Sequence, residues 1–366
     1  MKQILFFLLL SSFSFSQSLS LSDENLIHSH LSLKNERLYL FYSDKLIDIN
    51  LKDFTQKEVP YDSSNIDLKD FIPVSVNFKD YYLDPQGGGV YLFENYTFKR
   101  IDTSYKHRMQ IESSVFTYKN GIYKYGGYGF WSNRNFITKF NFETKQWDFV
   151  PHSKSKELPN GSHNSFVKVI DDDIYVYGGL KVNEFNPDII EDNNEIWKFN
   201  FINEVWEKLG INDFQNENKL NNEKIDYGNK SLFFDRKTNT TSHIDFTNNI
   251  LSTYKNSTLL NSLSSLPISF FYKNKFYLFI KENPSSTIIA LKTRNEDEIL
   301  GEIIDHKPFY RNQSDLIILI VIIGSVLILI LVYKIIRYVN QKRNKLSIKY
   351  KNKVKYKNKE VDLDDI

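Results

Sequence analysis

Residues 113–150 read SSVFTYKNGIYKYGGYGFWSNRNFITKFNFETKQWDFV, and residues 165–209 read SFVKVIDDDIYVYGGLKVNEFNPDIIEDNNEIWKFNFINEVWEKL. Both run through the same series: an alternating segment ending in Tyr-x-Tyr-Gly-Gly, a polar loop, a second alternating segment, a turn and a Trp. Superposition pairs Tyr123 with Tyr175, Gly126-Gly127 with Gly178-Gly179, Phe140 with Phe199, and Trp147 with Trp206. Side chains two apart share a strand face, so Tyr123 and Tyr125, like Tyr175 and Tyr177, are expected side by side. Paired glycines permit the positive φ of a sharp turn. Trp147 and Trp206 are large flat rings suited to packing between neighbouring sheets.

Self-similarity at about 50 residues is the period of a propeller blade. At Gly126, Gly127 and Trp147, and again at Gly178, Gly179 and Trp206, the sequence resembles the kelch family. The resemblance implies an all-β, kelch-type β-propeller, the architecture of galactose-oxidase-like domains, with these six residues serving blade structure. Weaker copies occur at 37–50, 81–93, 230–246 and 270–291. Six blades then fill residues 17–312, although five or seven also fit that length. The four weaker copies lack the Trp, and only the one at 81–93 carries a glycine run, Gly87-Gly88-Gly89, which is a departure from the family pattern. Residues 212–229 read as a polar connector between blades.

The ends of the chain carry different signals. Residues 1–16 have the order of a secretory signal peptide: Lys2, an apolar run from Ile4 to Leu10, then Ser14 and Ser16 where cleavage needs small residues. Residues 316–332 carry no charge. With their flank they reach about 21 residues, enough at 1.5 Å each to cross a ~30 Å hydrocarbon core. Lys334, Arg337, Lys342, Arg343 and Lys345 follow, whereas the preceding flank shows no such excess. The positive-inside rule therefore places the C-terminus in the cytoplasm. The expected organisation is a signal peptide (1–16), an exported propeller (17–312), a transmembrane helix (313–336) and a basic cytoplasmic tail (337–366). That makes a single-pass protein of a plasma (bacterial inner) membrane with a periplasmic or extracellular domain.

Charge divides along the same line. Residues 334–366 hold eleven lysines and arginines against four acids, so the body carries a net deficit of five. In the tail, Lys349, Lys351, Lys353 and Lys355 alternate with other residues. An extended chain would gather them on one side, where anionic lipid would attract each by ~1 kcal/mol. The blander reading is a solvated stop-transfer tail.

The chain has no cysteine. Disulfides, thiolate metal sites and Cys nucleophiles are thereby removed. So is copper-radical galactose oxidase activity, which in the kelch family needs a Cys cross-linked to a Tyr. No Gly-x-Ser-x-Gly elbow, His-Glu-x-x-His pair or phosphate-binding glycine loop occurs. His28 and His30 would share a strand face, but nothing completes a metal site with them. Asp171-Asp172-Asp173 falls where a turn belongs. No catalytic residue, metal, cofactor or nucleic-acid partner is therefore expected. The loop at 128–135, with Trp131 and Arg134, and the insert at 181–194 occupy equivalent places in the two clear blades. They should emerge on one face, and Trp and Arg are enriched at binding hot spots. The expected function is binding or sensing of a protein or glycan ligand. The alternative is a membrane-tethered periplasmic carbohydrate-active enzyme of the sialic acid mutarotase kind.

Overall fold

The computed structural model describes residues 20–361 apart from 23, 65, 104–108, 184, 187, 213–223, 264–268, 282, 284–285 and 312. The expected signal peptide lies outside the described residues. The chain divides into two units, Met1–Tyr310 and Arg311–Ile366.

The first unit is a six-bladed β-propeller. Each blade is an antiparallel sheet whose strands are lettered A to D from the hub outward. Blade 1 comprises Leu26–Ser32, Arg37–Tyr42, Leu46–Asn50 and Gln56–Val59. Blade 2 comprises Ile72–Val76, Lys79–Leu83, Val90–Glu94 and Thr97–Arg100. The two clear sequence copies are blades 3 and 4. Blade 3 is Ser114–Tyr118, Gly121–Tyr125, Ile137–Asn141 and Gln146–Phe149. Blade 4 is Phe166–Ile170, Asp173–Tyr177, Glu195–Asn200 and Val205–Ile211. Blade 5 is Lys224–Tyr227, Lys230–Asp235, Thr240–Asp245 and Ile250–Lys255. Its first strand lies inside the segment that reads as a polar connector.

Blade 6 supplies only strands A to C, at Phe270–Tyr272, Lys275–Lys281 and Ile288–Arg294. Its outer strand is Ser20–Ser22 from the other end of the chain, with Ser20 opposite Ala290 and Ser22 opposite Ile288. The ring is thus closed by joining the two ends of the propeller sequence in one sheet.

Alternation explains the aromatic content. In strand B of blade 1, Leu38, Leu40 and Tyr42 face blade 6, while Tyr39 and Phe41 face blade 2. A strand with a sheet on both sides must be apolar on both faces. The buried side chains accordingly form six clusters, one in each gap between neighbouring blades.

Polar latches reinforce some gaps. The sequence Tyr-Lys-Asn occurs at 118–120 and 272–274, in each case where strand A turns into strand B. Tyr118 donates to Asp172 of blade 4, and Lys119 pairs with the same carboxylate at 3.0 Å. Asp172 therefore belongs to a latch within a turn. Tyr272 likewise donates to Glu36 of blade 1, which also holds Lys52 at 2.9 Å and Lys273 at 3.4 Å. This second latch spans the seam where the ring closes.

After blade 6 the chain returns to blade 5. Helix α1 (Ser257–Ser262) and helix α2 (Glu296–Leu300) bury Leu259, Leu260, Ile299 and Leu300 between blades 5 and 6. Strand Glu302–Pro308 then adds a fifth strand outside Ile250–Lys255. Asn249 fixes the end of the propeller, accepting from Tyr310 N at 3.0 Å and donating to Tyr310 O at 3.1 Å.

The second unit is one helix, α3 (Gln313–Val361). Its segment Ile320–Ile348, 29 residues, is long and apolar enough to cross a bilayer. The helix covers the expected span and runs on through the basic tail. The tail backbone is therefore helical rather than extended as far as Val361.

The seam latch has a pH signature. Hydrogen bonds from Tyr272 and then Lys52 hold the Glu36 carboxyl near 2, against an ordinary 4.5. Its folded-state pKa lies below the unfolded one, so its contribution is complete above about pH 4.5 and fades as pH falls toward 2. Glu36→Gln should lower the melting temperature at neutral pH and flatten its fall across that acid window. Parallel melting curves for both proteins throughout the window would refute this role.

Candidate functional site

Strand B of blades 3 and 4 ends in a glycine pair with left-handed backbone: φ is 68° and 98° at Gly126 and Gly127, and 63° and 84° at Gly178 and Gly179. There is no room for side chains. A Cβ on Gly126 would lie 2.3 Å from Ser162 O, and one on Gly179 would lie 2.6 Å from His163 O. The glycines let strand B turn out of the blade and against the connector between blades.

A small hairpin follows each pair. In blade 3, Tyr128–Gly129 pairs with Ser132–Asn133. In blade 4, Leu180–Val182 pairs with Ile190–Asp192. The base of the first bridges to Ile111 and that of the second to His163, which are equivalent connector positions. His163 also joins the two hairpins. Its backbone pairs with Leu180, while Nδ1 lies 3.0 Å from Asn133 Oδ1. Nothing in the sequence flags His163 except its equivalence to Ile111 once the glycine pairs are superimposed.

The hairpins are adjacent and carry large apolar tips. Phe130 is 65% exposed, Trp131 78% and Phe185 94%, with Ile189 and Ile190 also exposed. Phe130 and Trp131 form the tip with φ of 50° and 58°. A two-residue turn of this type favours Asn-Gly, because both central residues need positive φ. Two aromatics held there present their rings to solvent at a cost in backbone strain. Arg134 is placed differently from Trp131. Its Nη2 donates to Gly129 O at 2.9 Å and its guanidinium lies 5.9 Å from the Phe130 ring. It braces the hairpin from beneath.

Trp147 and Trp206 lie away from this face, in the gaps toward the preceding blades. Trp147 Nε1 donates to Gly88 O of blade 2 at 2.8 Å, and Lys124 Nζ lies 4.1 Å from its ring centre. Burial pushes the Lys124 ammonium down to about 8. Trp206 packs on Tyr125 of blade 3 at 5.4 Å between ring centres.

Several polar groups near the hub are paired. His30 contacts Tyr82 Oη at 2.8 Å and Ser75 Oγ at 3.1 Å, and His28 lies beside Phe41 and Tyr82. Burial holds both imidazoles near 4, so they are neutral at neutral pH. The two do face one neighbour, blade 2, but no metal-binding group of three occurs among the described residues. Between blades 4 and 5, Asp226 takes Lys224 at 2.9 Å and Lys168 at 3.5 Å, and accepts from Ser231. Lys168 and Lys224 also donate to the backbone carbonyls of Lys230 and Val167. Burial pushes the Lys168 ammonium down. These groups stitch one blade to the next.

The fold and this face define a β-propeller with two ornamented blades. No protein-family model and no curated protein matches the chain. Among solved structures, one described as the structure of YjhT aligns over 75% of this chain and 98% of its own, with TM-score 0.48 and 10% identity.

The glycine geometry can be checked by contrast. Gly228 also has left-handed φ, 47°, but nothing lies within 4 Å of a Cβ there. Gly179→Ala should cost roughly 2–3 kcal/mol and Gly228→Ala about 1 kcal/mol in urea denaturation. Equal losses would mean that crowding at the hairpin base is not what requires Gly179.

Proposed function

We propose that this chain is a membrane-anchored, kelch-type propeller whose exported domain binds a protein or glycan ligand on the paired hairpins of blades 3 and 4. The observation that carries the reading is the grouping of Phe130, Trp131, Phe185, Ile189 and Ile190 on adjacent tips, in contact with water. Exposed clusters of large apolar side chains mark interaction sites, because burying them against a partner is their main source of free energy. Trp131 is the expected anchor, with Arg134 fixing the shape of the turn that presents it.

Propeller connectivity supports the same reading. The turns from strand B to C and the connectors from D to A share one face, whereas the turns from A to B and from C to D share the other. The hairpins lie on the first face. Tyr310, bonded to Asn249 in the C-to-D turn of blade 5, lies on the second. The hairpins and Tyr310, the last residue of the first unit, therefore lie on opposite faces of the ring. Helix α3 then serves as the anchor, with its basic end in the cytoplasm beside anionic lipid.

The test is binding by the exported domain to glycan and peptide arrays, with a Trp131→Ala/Phe185→Ala variant alongside. Both side chains are exposed, so the variant should keep its stability to within about 0.5 kcal/mol. Every bound ligand should be lost or weakened at least about tenfold. A ligand retained at full strength would move the binding site elsewhere.

A further inference from the structure

In blades 2, 3 and 4 the second residue of strand D is aromatic (Phe98, Trp147, Trp206) and faces back toward the preceding blade, and blade 5 departs from this pattern. In blade 4 this residue is Trp206, opposite Phe199, and its ring lies 5.4 Å from Tyr125, the last residue of strand B in blade 3. One blade further on, Tyr177 occupies the place of Tyr125. The residue in the place of Trp206 is Leu251, opposite Ile244. Leucine cannot fill the volume of an indole, and a buried void of that size is costly.

Phe309 fills it. Its ring centre lies 5.4 Å from Tyr177, at 86°, and 5.5 Å from Phe246. It is 1% exposed, and it joins Phe166, Tyr177, Phe233 and Leu251 in the cluster between blades 4 and 5. Yet Phe309 belongs to neither blade. It follows the fifth strand added to blade 5 and stands two residues before the second unit. Its backbone N donates to Asn249 O at 3.1 Å.

On the other side of the contact, Tyr177 leads directly into Gly178-Gly179 and the blade 4 hairpin. Phe166 stacks on Tyr177 at 5.4 Å, and a Cβ on Gly178 would lie 3.1 Å from the Phe166 ring. The hairpin of blade 4 is therefore supported from below by a side chain from the segment that continues into α3. The hairpin of blade 3 is supported by a Trp of the ring itself.

We infer that Phe309 stands in for the missing blade 5 Trp and couples the blade 4 half of the hairpin face to the C-terminal segment. Displacement of that segment withdraws Phe309 and loosens residues 178–195. Conversely, a ligand that orders the hairpin tightens the Tyr177–Phe309 contact, since coupling between two sites is reciprocal. The regulatory meaning rests on the hairpins being the ligand face, but the packing claim does not.

Hydrogen exchange on the full-length protein in lipid nanodiscs tests the coupling without any ligand. Phe309→Ala, and the milder Phe309→Leu should the first fail to fold, are expected to accelerate exchange at 178–195 by about tenfold while leaving 128–135 unchanged. Leu251→Trp combined with Phe309→Ala should restore protection at 178–195, because the indole then comes from the blade. Equal acceleration of both hairpins would indicate general loosening and overturn the coupling. Unchanged exchange at 178–195 would overturn it as well, and failure of the double variant to restore protection would overturn the stand-in role. The array assay with Trp131 and Phe185 addresses the ligand face separately, so either reading can fail alone.

Discussion

Contact between the faces of neighbouring sheets is the interaction on which this ring depends. The propeller has no single core. It has six, each shared by two blades, and none can form without both partners. Every strand B therefore carries apolar side chains on both faces. The same requirement explains why many polar groups between blades are paired. Ser32, Ser75 and Asn35 surround Asp80 in the gap between blades 1 and 2, and Lys168, Lys224 and Asp226 satisfy one another between blades 4 and 5. An unsatisfied charge in either gap would cost more than the gap could return.

The proposed ligand face is built by lengthening one connection. The turn from strand B to strand C is short in blade 1, where Tyr42 leads to Leu46, and in blade 5, where Asp235 leads to Thr240. In blades 3 and 4 it becomes a hairpin, possible because the glycine pair redirects the chain without disturbing the strand before it. His163 makes the two hairpins one surface. The ornament adds exposed apolar area at its tips.

Much of the architecture was legible in the residues. The glycine pairs and Trp residues of 113–150 and 165–209 mark blades 3 and 4, and alternating aromatic runs locate the other four. The apolar stretch beginning near residue 316 lies in a helix of membrane-spanning length. What escaped reading depends on partners distant in sequence. Ser20–Ser22 is too short and too polar to announce a strand, and it becomes one only because blade 6 lacks its outer edge. Lys224–Tyr227 is charged because it meets Lys168 and Ser231, not solvent alone. Glu302–Pro308 pairs with a strand about fifty residues earlier, and most of its side chains remain exposed, so periodicity carries no signal there. At the candidate site, the loops and the exposure of Trp131 follow from the sequence pattern. The internal use of Arg134 does not, because a guanidinium bound to the carbonyl of Gly129 reads the same in one dimension as one facing a ligand.

The sheet that unites residue 20 with residue 290 has a consequence for how the molecule is made. A chain that emerges N-terminus first must carry its opening strand unpaired through the synthesis of all six blades. The last pairing to become available is also the most distant, and contacts of that separation form slowly. Until then the flank of blade 1 that will meet blade 6, with Leu38, Leu40 and Tyr42, has no cover. Nascent copies should be most vulnerable to sticking together in that interval, and folding helpers that shield apolar strands would act there.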